Sequence, residues 1–102
     1  MLTDKQIVKI RKGFNGVNQR AIFKVLSDTN RYRIFEMLTK QTRLGVSDVA
    51  KVLGVSVPLA SQHLKILEQA SALEKEKMGQ RVYYKLRRDN KTAQSIIKDV
   101  IK

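Results

Sequence analysis

A chain of 102 residues without a cysteine is expected to fold as one domain around one core, with neither disulfides nor thiolate metal sites. Its 21 Lys and Arg against 9 Asp and Glu give a formal net charge of +12, the balance of a protein that meets a polyanion. No apolar run reaches the roughly 18 residues of a membrane span, and Met1–Ile10 mixes charged with apolar residues unlike a signal peptide, so a cytoplasmic protein is expected.

Thr3-Asp4 suits the cap of a first helix running to about Lys12, whose Ile7 and Ile10 continue to Phe14, Val17 and Ala21 at spacings of three and four. That spacing is a seam for another helix. Gly13, Asn15, Gly16 and Asn18 are poor helix formers and predict a break. The Gly13-x-x-Gly16 pair lacks the strand-and-helix context of a nucleotide-clamping loop and is read as the breaker alone. A second helix is predicted over about Gln19–Ser27, with Ile22, Val25 and Leu26 inward. The cluster Ser27-Asp28-Thr29-Asn30 is a turn, and a third helix covers about Arg31–Lys40.

The segment from Ser47 to Leu67 carries the most information. Ser47 is placed to cap one short helix with Val49, Ala50 and Leu53 inward. Gly54-Val55 makes a turn, and Ser56 caps a second helix with Pro58 in its first turn, where a missing N–H costs nothing. Two helices joined by a tight turn containing glycine form a helix-turn-helix, whose second helix can lie in the major groove of DNA. Its outward face carries Ser61, Gln62 and Lys65, side chains able to reach base edges.

After Ser71 the apolar period changes from 3.6 to 2. Leu73–Met78, Gly79-Gln80 and Arg81–Leu86 read as a two-stranded hairpin, with Val82, Tyr84 and Leu86 on one face and Arg81, Tyr83 and Lys85 on the other. Lys75, Lys77, Gln80 and Arg81 form a wing suited to the DNA backbone. Asp89-Asn90 caps a last helix over about Lys91–Ile101, in which Ala93, Ile96, Ile97, Val100 and Ile101 make an apolar stripe. The terminal helices, within residues 1–20 and 89–102, are assigned to a two-fold dimer through Ile7, Ile10, Phe14, Ile96, Ile97, Val100 and Ile101. A dimer suits a palindromic site, since one helix-turn-helix buries little DNA.

Charge is divided along the chain. Residues 1–45 hold ten Lys and Arg against three acids, and residues 73–102 hold nine against four, while residues 46–72 hold two of each. Neutral hydrogen-bonding groups read bases, and cations beside them neutralise phosphates.

Four stretches resemble the arsenic-repressor-type (ArsR/SmtB) regulators of bacteria and archaea. They are Phe23–Ile34, Val46–Ala50, Ser56 with Ser61-Gln62-His63-Leu64-Lys65-Ile66-Leu67, and Gly79–Leu86, and they span roughly residues 21–87. The resemblance implies a mainly helical winged helix-turn-helix of five to six helices with a small hairpin. It also implies a homodimer built on terminal helices, recognition through Ser56–Gln69, and repression by blocking a promoter. Where this chain has Thr29 and Ser71, the family commonly has proline and glycine; a non-glycine at the second position must adopt a left-handed turn or be accommodated differently, at modest cost. Family members that sense metals use cysteines or Asp/His/Glu sets. One histidine, His63, and carboxylates Asp89 and Asp99 set beside lysines make a poor transition-metal site, so no metal response and no cofactor are expected. In the resemblance His63 belongs to the recognition helix.

The expected function is therefore a sequence-specific regulator of transcription, a repressor, bound to double-stranded DNA. Ser56, Val57, Pro58, Ser61, Gln62, His63 and Lys65 are the groove residues; Lys75, Lys77, Gln80 and Arg81 in the wing, with Arg31 and Lys51 at the groove edge, are the backbone contacts. Two other readings stay open: a winged helix that binds protein or RNA, and an architectural protein that coats DNA without specificity. No nucleophile motif, carboxylate pair or phosphate-binding loop supports an enzyme.

Overall fold

Thr3 and Gln6 cap the first helix reciprocally. The Gln6 N–H donates to Thr3 Oγ1 at 3.2 Å, and the Thr3 N–H donates to Gln6 Oε1 at 2.8 Å, a capping box that answers two otherwise orphaned donors. In a computed structural model describing the backbone of residues 1–12, 16–89 and 91–100, this helix, α1, spans Asp4–Lys12 and buries none of its residues. Side chains 16–20, 92, 99 and 100 are also outside the description. The interface positions Phe14, Val100 and Ile101, the seam residue Val17, the cap residue Asn90 and the carboxylate of Asp99 thus lie outside the described residues.

Helix α2 (Gly16–Leu26) begins three residues before the expected Gln19. Asp28 caps α3 (Thr29–Lys40), its carboxylate accepting the Arg31 N–H at 3.1 Å. Thr29 is therefore the first residue of the helix, a position proline favours but does not monopolise. The bond from Arg31 is the main reason the Asp28 carboxyl is held below its ordinary range; hydrogen bonding to the charged form favours it.

A two-residue strand, β1 (Leu44–Gly45), leads directly into α4 (Val46–Leu53), followed by α5 (Val57–Gln69), β2 (Leu73–Met78), β3 (Arg81–Leu86) and α6 (Lys91–Val100). The sheet is antiparallel in the order β1-β3-β2. It therefore has one strand more than the expected hairpin. Two residues are too few to show a period, and β1 exists only because Leu44 and Gly45 pair with Tyr84 and Tyr83. The same pairing corrects the predicted cap at Ser47. With Gly45 held in extended conformation against the sheet, the helix starts at Val46 and has no side-chain cap.

Helices α4 and α5 end alike. Gly54, at φ +67°, follows α4, with its N–H on the Lys51 carbonyl and the Val55 N–H on the Ala50 carbonyl at 3.1 Å. After α5 it is Ser71 that turns left-handed, at φ +64°. Its N–H reaches the Glu68 carbonyl at 2.9 Å, and the Ala72 N–H reaches the Leu67 carbonyl at 3.0 Å. Both are Schellman closures, which satisfy the last helical carbonyls and ordinarily use glycine.

The core gathers one stripe from each element: Ile22 and Leu26; Ile34, Phe35 and Leu38; Val49 and Ala50; Ala60, Leu64 and Leu67; Leu73, Tyr84 and Leu86; and Ala93, Ile96 and Ile97. Removing one of the fully buried leucines to alanine typically costs about 2–5 kcal/mol. Ile96 and Ile97, expected at a subunit interface, are 9% and 7% exposed and lie in the core of their own chain. Helix α6 packs on α2 and α3 of its own chain, so its inner stripe is already covered. Helix α1, with Val8 and Ile10 about half exposed, draws the molecule out to 55 × 27 × 25 Å.

Candidate nucleic-acid interface

The helical period divides α5 into two faces. Ala60, His63, Leu64 and Leu67 are buried, and the stripe one face away, Val57, Pro58, Ser61, Gln62 and Lys65, is exposed. Ser56 fixes where this face begins, because its Oγ accepts the Leu59 N–H at 3.2 Å. Loss of such a cap typically costs about 1 kcal/mol. Helix α4, with exposed Lys51, supports α5 from behind through Val49 and Ala50.

In the wing, Gly79 takes φ +64° at the tight two-residue turn, where a residue with positive φ is needed. Pairing of Leu73 with Leu86, Lys75 with Tyr84 and Lys77 with Val82 puts these side chains on one face of the hairpin. Leu73, Leu86 and Tyr84 fill the core end of that face. Lys75 and Lys77 continue it outward on the side of α5, and the Lys75 ammonium lies 3.8 Å from Glu68 of α5. Val82, near the tip, is only partly covered.

The opposite face is an ion-pair ladder. Arg43 lies 3.5 Å from Glu76 and over the Tyr83 ring, and Lys85 lies 3.4 Å from both Glu74 and Glu76. Glu74, and next Glu76, raise the affinity of Lys85 for its proton. The ladder is neutral, so the cations the wing offers outward are exposed Lys75, beside Glu68, and Lys77 and Arg81 at the tip, next to exposed Gln80.

A helix-turn-helix family model matches residues 26–76, half of the chain. The transcriptional repressor SdpR of Bacillus subtilis is 37% identical over 65 residues, which cover 64% of this chain and 71% of that protein. The chain belongs to the ArsR family of helix-turn-helix regulators. The cadmium resistance regulatory protein CadC of Listeria innocua is 35% identical over 71 residues, covering 70% of this chain and 60% of the relative, so the match spans less than two thirds of such regulators. Two solved structures share the fold. HlyU from Vibrio cholerae superposes with a TM-score of 0.74 at 24% identity, covering 85% of this chain and 91% of that one. The homodimeric winged helix-turn-helix domain of a possible ArsR-family regulator from Mycobacterium bovis gives 0.70 at 19%, covering 98% and 84%.

Within this ArsR-family frame, two residues read from sequence as DNA contacts sit elsewhere. His63 is 8% exposed and faces inward, because position 63 shares the buried stripe with Ala60, Leu64 and Leu67. Arg31 is partly buried and engaged within the chain: its Nε donates to the Val25 carbonyl at 2.8 Å, and its Nη1 lies 3.4 Å from His63 Nδ1. Sequence spacing gave no sign of this contact, since 32 residues separate the partners. Among the described residues, no three His, Asp or Glu side chains converge on a metal-sized site.

Proposed function

We propose that this ArsR-family chain is a dimeric repressor of transcription that reads a two-fold-related sequence in double-stranded DNA and does not respond to metal. One observation carries the reading: the exposed stripe Val57, Pro58, Ser61, Gln62 and Lys65 is nearly neutral and flanked by the cations Lys51, Lys75, Lys77 and Arg81. Gln62 is the adenine-reading residue, since its amide offers a donor and an acceptor together, and Val57 or Pro58 meets a thymine methyl. Ser56 opens the face, while Ser61 and Lys65 extend it. Lys51, Lys75, Lys77, Gln80 and Arg81 hold phosphates.

The proposed dimer is supported by α1, an amphipathic helix with no buried residue, whose Ile7, Val8 and Ile10 need a partner surface. The homodimeric state of the M. bovis domain points the same way. Repression is supported by the name of the SdpR relative. A site in the cytoplasm agrees with the partner and with the absence, among the described residues, of any helix long and apolar enough to cross a membrane.

Selection of bound duplexes from a random pool tests the reading, and a motif with two-fold symmetry is expected. Salt titration of the selected duplex should show a loss of about 10³–10⁵ in affinity between roughly 50 and 200 mM salt, as about six to ten phosphate contacts require. Failure to bind any duplex at low salt would instead favour a winged helix that binds protein or RNA. A steep salt dependence with no preferred sequence would indicate a DNA-coating protein.

A further inference from the structure

We propose that the trough between α3 and α4 is a docking surface for an acidic amphipathic helix of another protein, and that it stays open while α5 lies on DNA. The second part rests on α5 being the reading helix. The trough has a volume of about 330 Å³ and is lined by Arg33, Glu36, Met37 and Lys40 of α3 and by Val52 and Leu53 of α4. None of these six is among the proposed DNA contacts. Both α3 and α4 pack on α5, so a trough lined by those two helices alone opens on the side away from it.

The floor and one lip are apolar. Met37 and Leu53 are partly buried against the core. Val52, beside them, is 66% exposed, more than any other large apolar residue past Met1 among the described residues. A lone exposed valine is ordinary; a valine at the lip of a groove floored by two more apolar side chains is a seat for a helix's apolar face. The rim on the α3 side is cationic. Arg33, Met37 and Lys40 stand at i, i+4 and i+7 on one face of α3, which sets the two cations about 10 Å apart along the helix. Both are exposed, and among the described residues neither forms a salt bridge. Glu36, at helical spacing from both, pairs with neither and leaves the rim one positive charge in excess.

The chemistry of the occupant follows. A helix with carboxylates at i and i+7 sets them against Arg33 and Lys40, and apolar side chains at i+3 and i+4 then fall onto Met37, Val52 and Leu53. A DNA phosphate answers the cations but leaves the apolar floor unfilled. This chain supplies no such helix. In α1 a single acid, Asp4, stands against four cations, and none of α2 to α6 holds more acids than bases. Charge therefore opposes docking of its own terminal helices or those of a second copy.

The probe is a synthetic peptide of about 15 residues with Glu at i and i+7 and Leu at i+3 and i+4, cross-linked on its outer face because short helices are marginal in water. Binding is read without DNA, by fluorescence anisotropy at about 0.15 M salt and by amide shifts in NMR. Saturable binding is expected, with shifts in Arg33–Lys40 and Lys51–Leu53. Val52→Asp and the double variant Arg33→Glu/Lys40→Glu should each weaken it at least about tenfold, the scale of one interface anchor. Val52→Thr, which keeps the side-chain shape, should weaken it in the same direction and stands in if Val52→Asp fails to fold in circular dichroism. Lys24→Glu/Lys91→Glu makes the same charge change at exposed sites elsewhere and should alter affinity by less than about twofold, because distant surface charges are screened. A peptide with Lys in place of both Glu should bind Arg33→Glu/Lys40→Glu and not the wild type. Absence of saturable binding, shifts confined to other surfaces, or an equal loss in Lys24→Glu/Lys91→Glu would overturn the proposal. So would a salt slope of duplex binding lowered by about two in Arg33→Glu/Lys40→Glu, which would make both cations phosphate contacts.

Discussion

Replacing Ser71 by glycine is expected to stabilise the fold by about 0.5–1 kcal/mol. Ser71 holds φ +64° because the Schellman closure of α5 requires it, and a left-handed conformation costs an L-residue roughly 1–2 kcal/mol. Glycine removes that cost but brings a larger entropy loss on folding, about 0.5–1 kcal/mol, and the difference is the expected gain. Nothing else is lost, since the two closing bonds come from the backbone of Ser71 and Ala72. At about 4–8 °C per kcal/mol for a domain of this size, the melting midpoint should rise by a few degrees. The reciprocal control is Gly54→Ser, at φ +67° with nothing within 4 Å of a new Cβ. Its cost is conformational alone, and it should lower the midpoint by a similar amount. Both are read by circular dichroism in thermal and urea melts at one fixed protein concentration, because a dimer's midpoint depends on concentration. A midpoint for Ser71→Gly that stays put or falls, alongside a drop for Gly54→Ser, would refute the claim that backbone conformation governs this turn.

Other outcomes follow from the candidate interface. Gln62→Ala should lose roughly 1–3 kcal/mol of discrimination at one base pair, while Arg81→Ala should weaken all duplexes alike and reduce the salt slope by about one; competition binding across single-base variants separates the two. Asp28→Ala should cost about 1 kcal/mol in urea melts through loss of the α3 cap. Because the folded-state pKa of Asp28 is lowered, its contribution is fully present above the ordinary carboxylate range. It disappears as pH falls through the folded value, so Asp28→Ala should flatten the acid end of the stability curve. A charge at Ile10, as in Ile10→Lys, should shift sedimentation toward monomer and leave the melt of the core unchanged at high dilution, since α1 buries nothing within its own chain.

Local chemistry is what a sequence states outright, and here it was enough for most elements. The strand limits Leu73–Met78 and Arg81–Leu86 follow from alternation and a Gly-Gln turn, and the start of α5 from Ser56 and Pro58. The outward stripe of α5 follows from helical period alone, which also places Ser61 and Gln62 away from the core. Where pattern and pairing competed, pairing decided: β1 took Gly45 into the sheet and moved the start of α4 away from Ser47.

Side-chain partnerships across the chain were beyond any period. The stripe on α6 reads equally as core or as interface, and contact with α2 and α3 put Ile96 and Ile97 in the core. A count of cations treats Arg31, Arg43, Lys77 and Lys85 alike, yet Arg43 and Lys85 are set against Glu74 and Glu76, and Arg31 is turned toward Val25 and His63. The family, the helix-turn-helix and its exposed stripe were determined by the order of residues, because capping, turn chemistry and amphipathic period act over a few neighbours. Which cations remain free, and which way His63 points, were decided by tertiary structure, because those depend on elements that only folding brings within a hydrogen bond of each other.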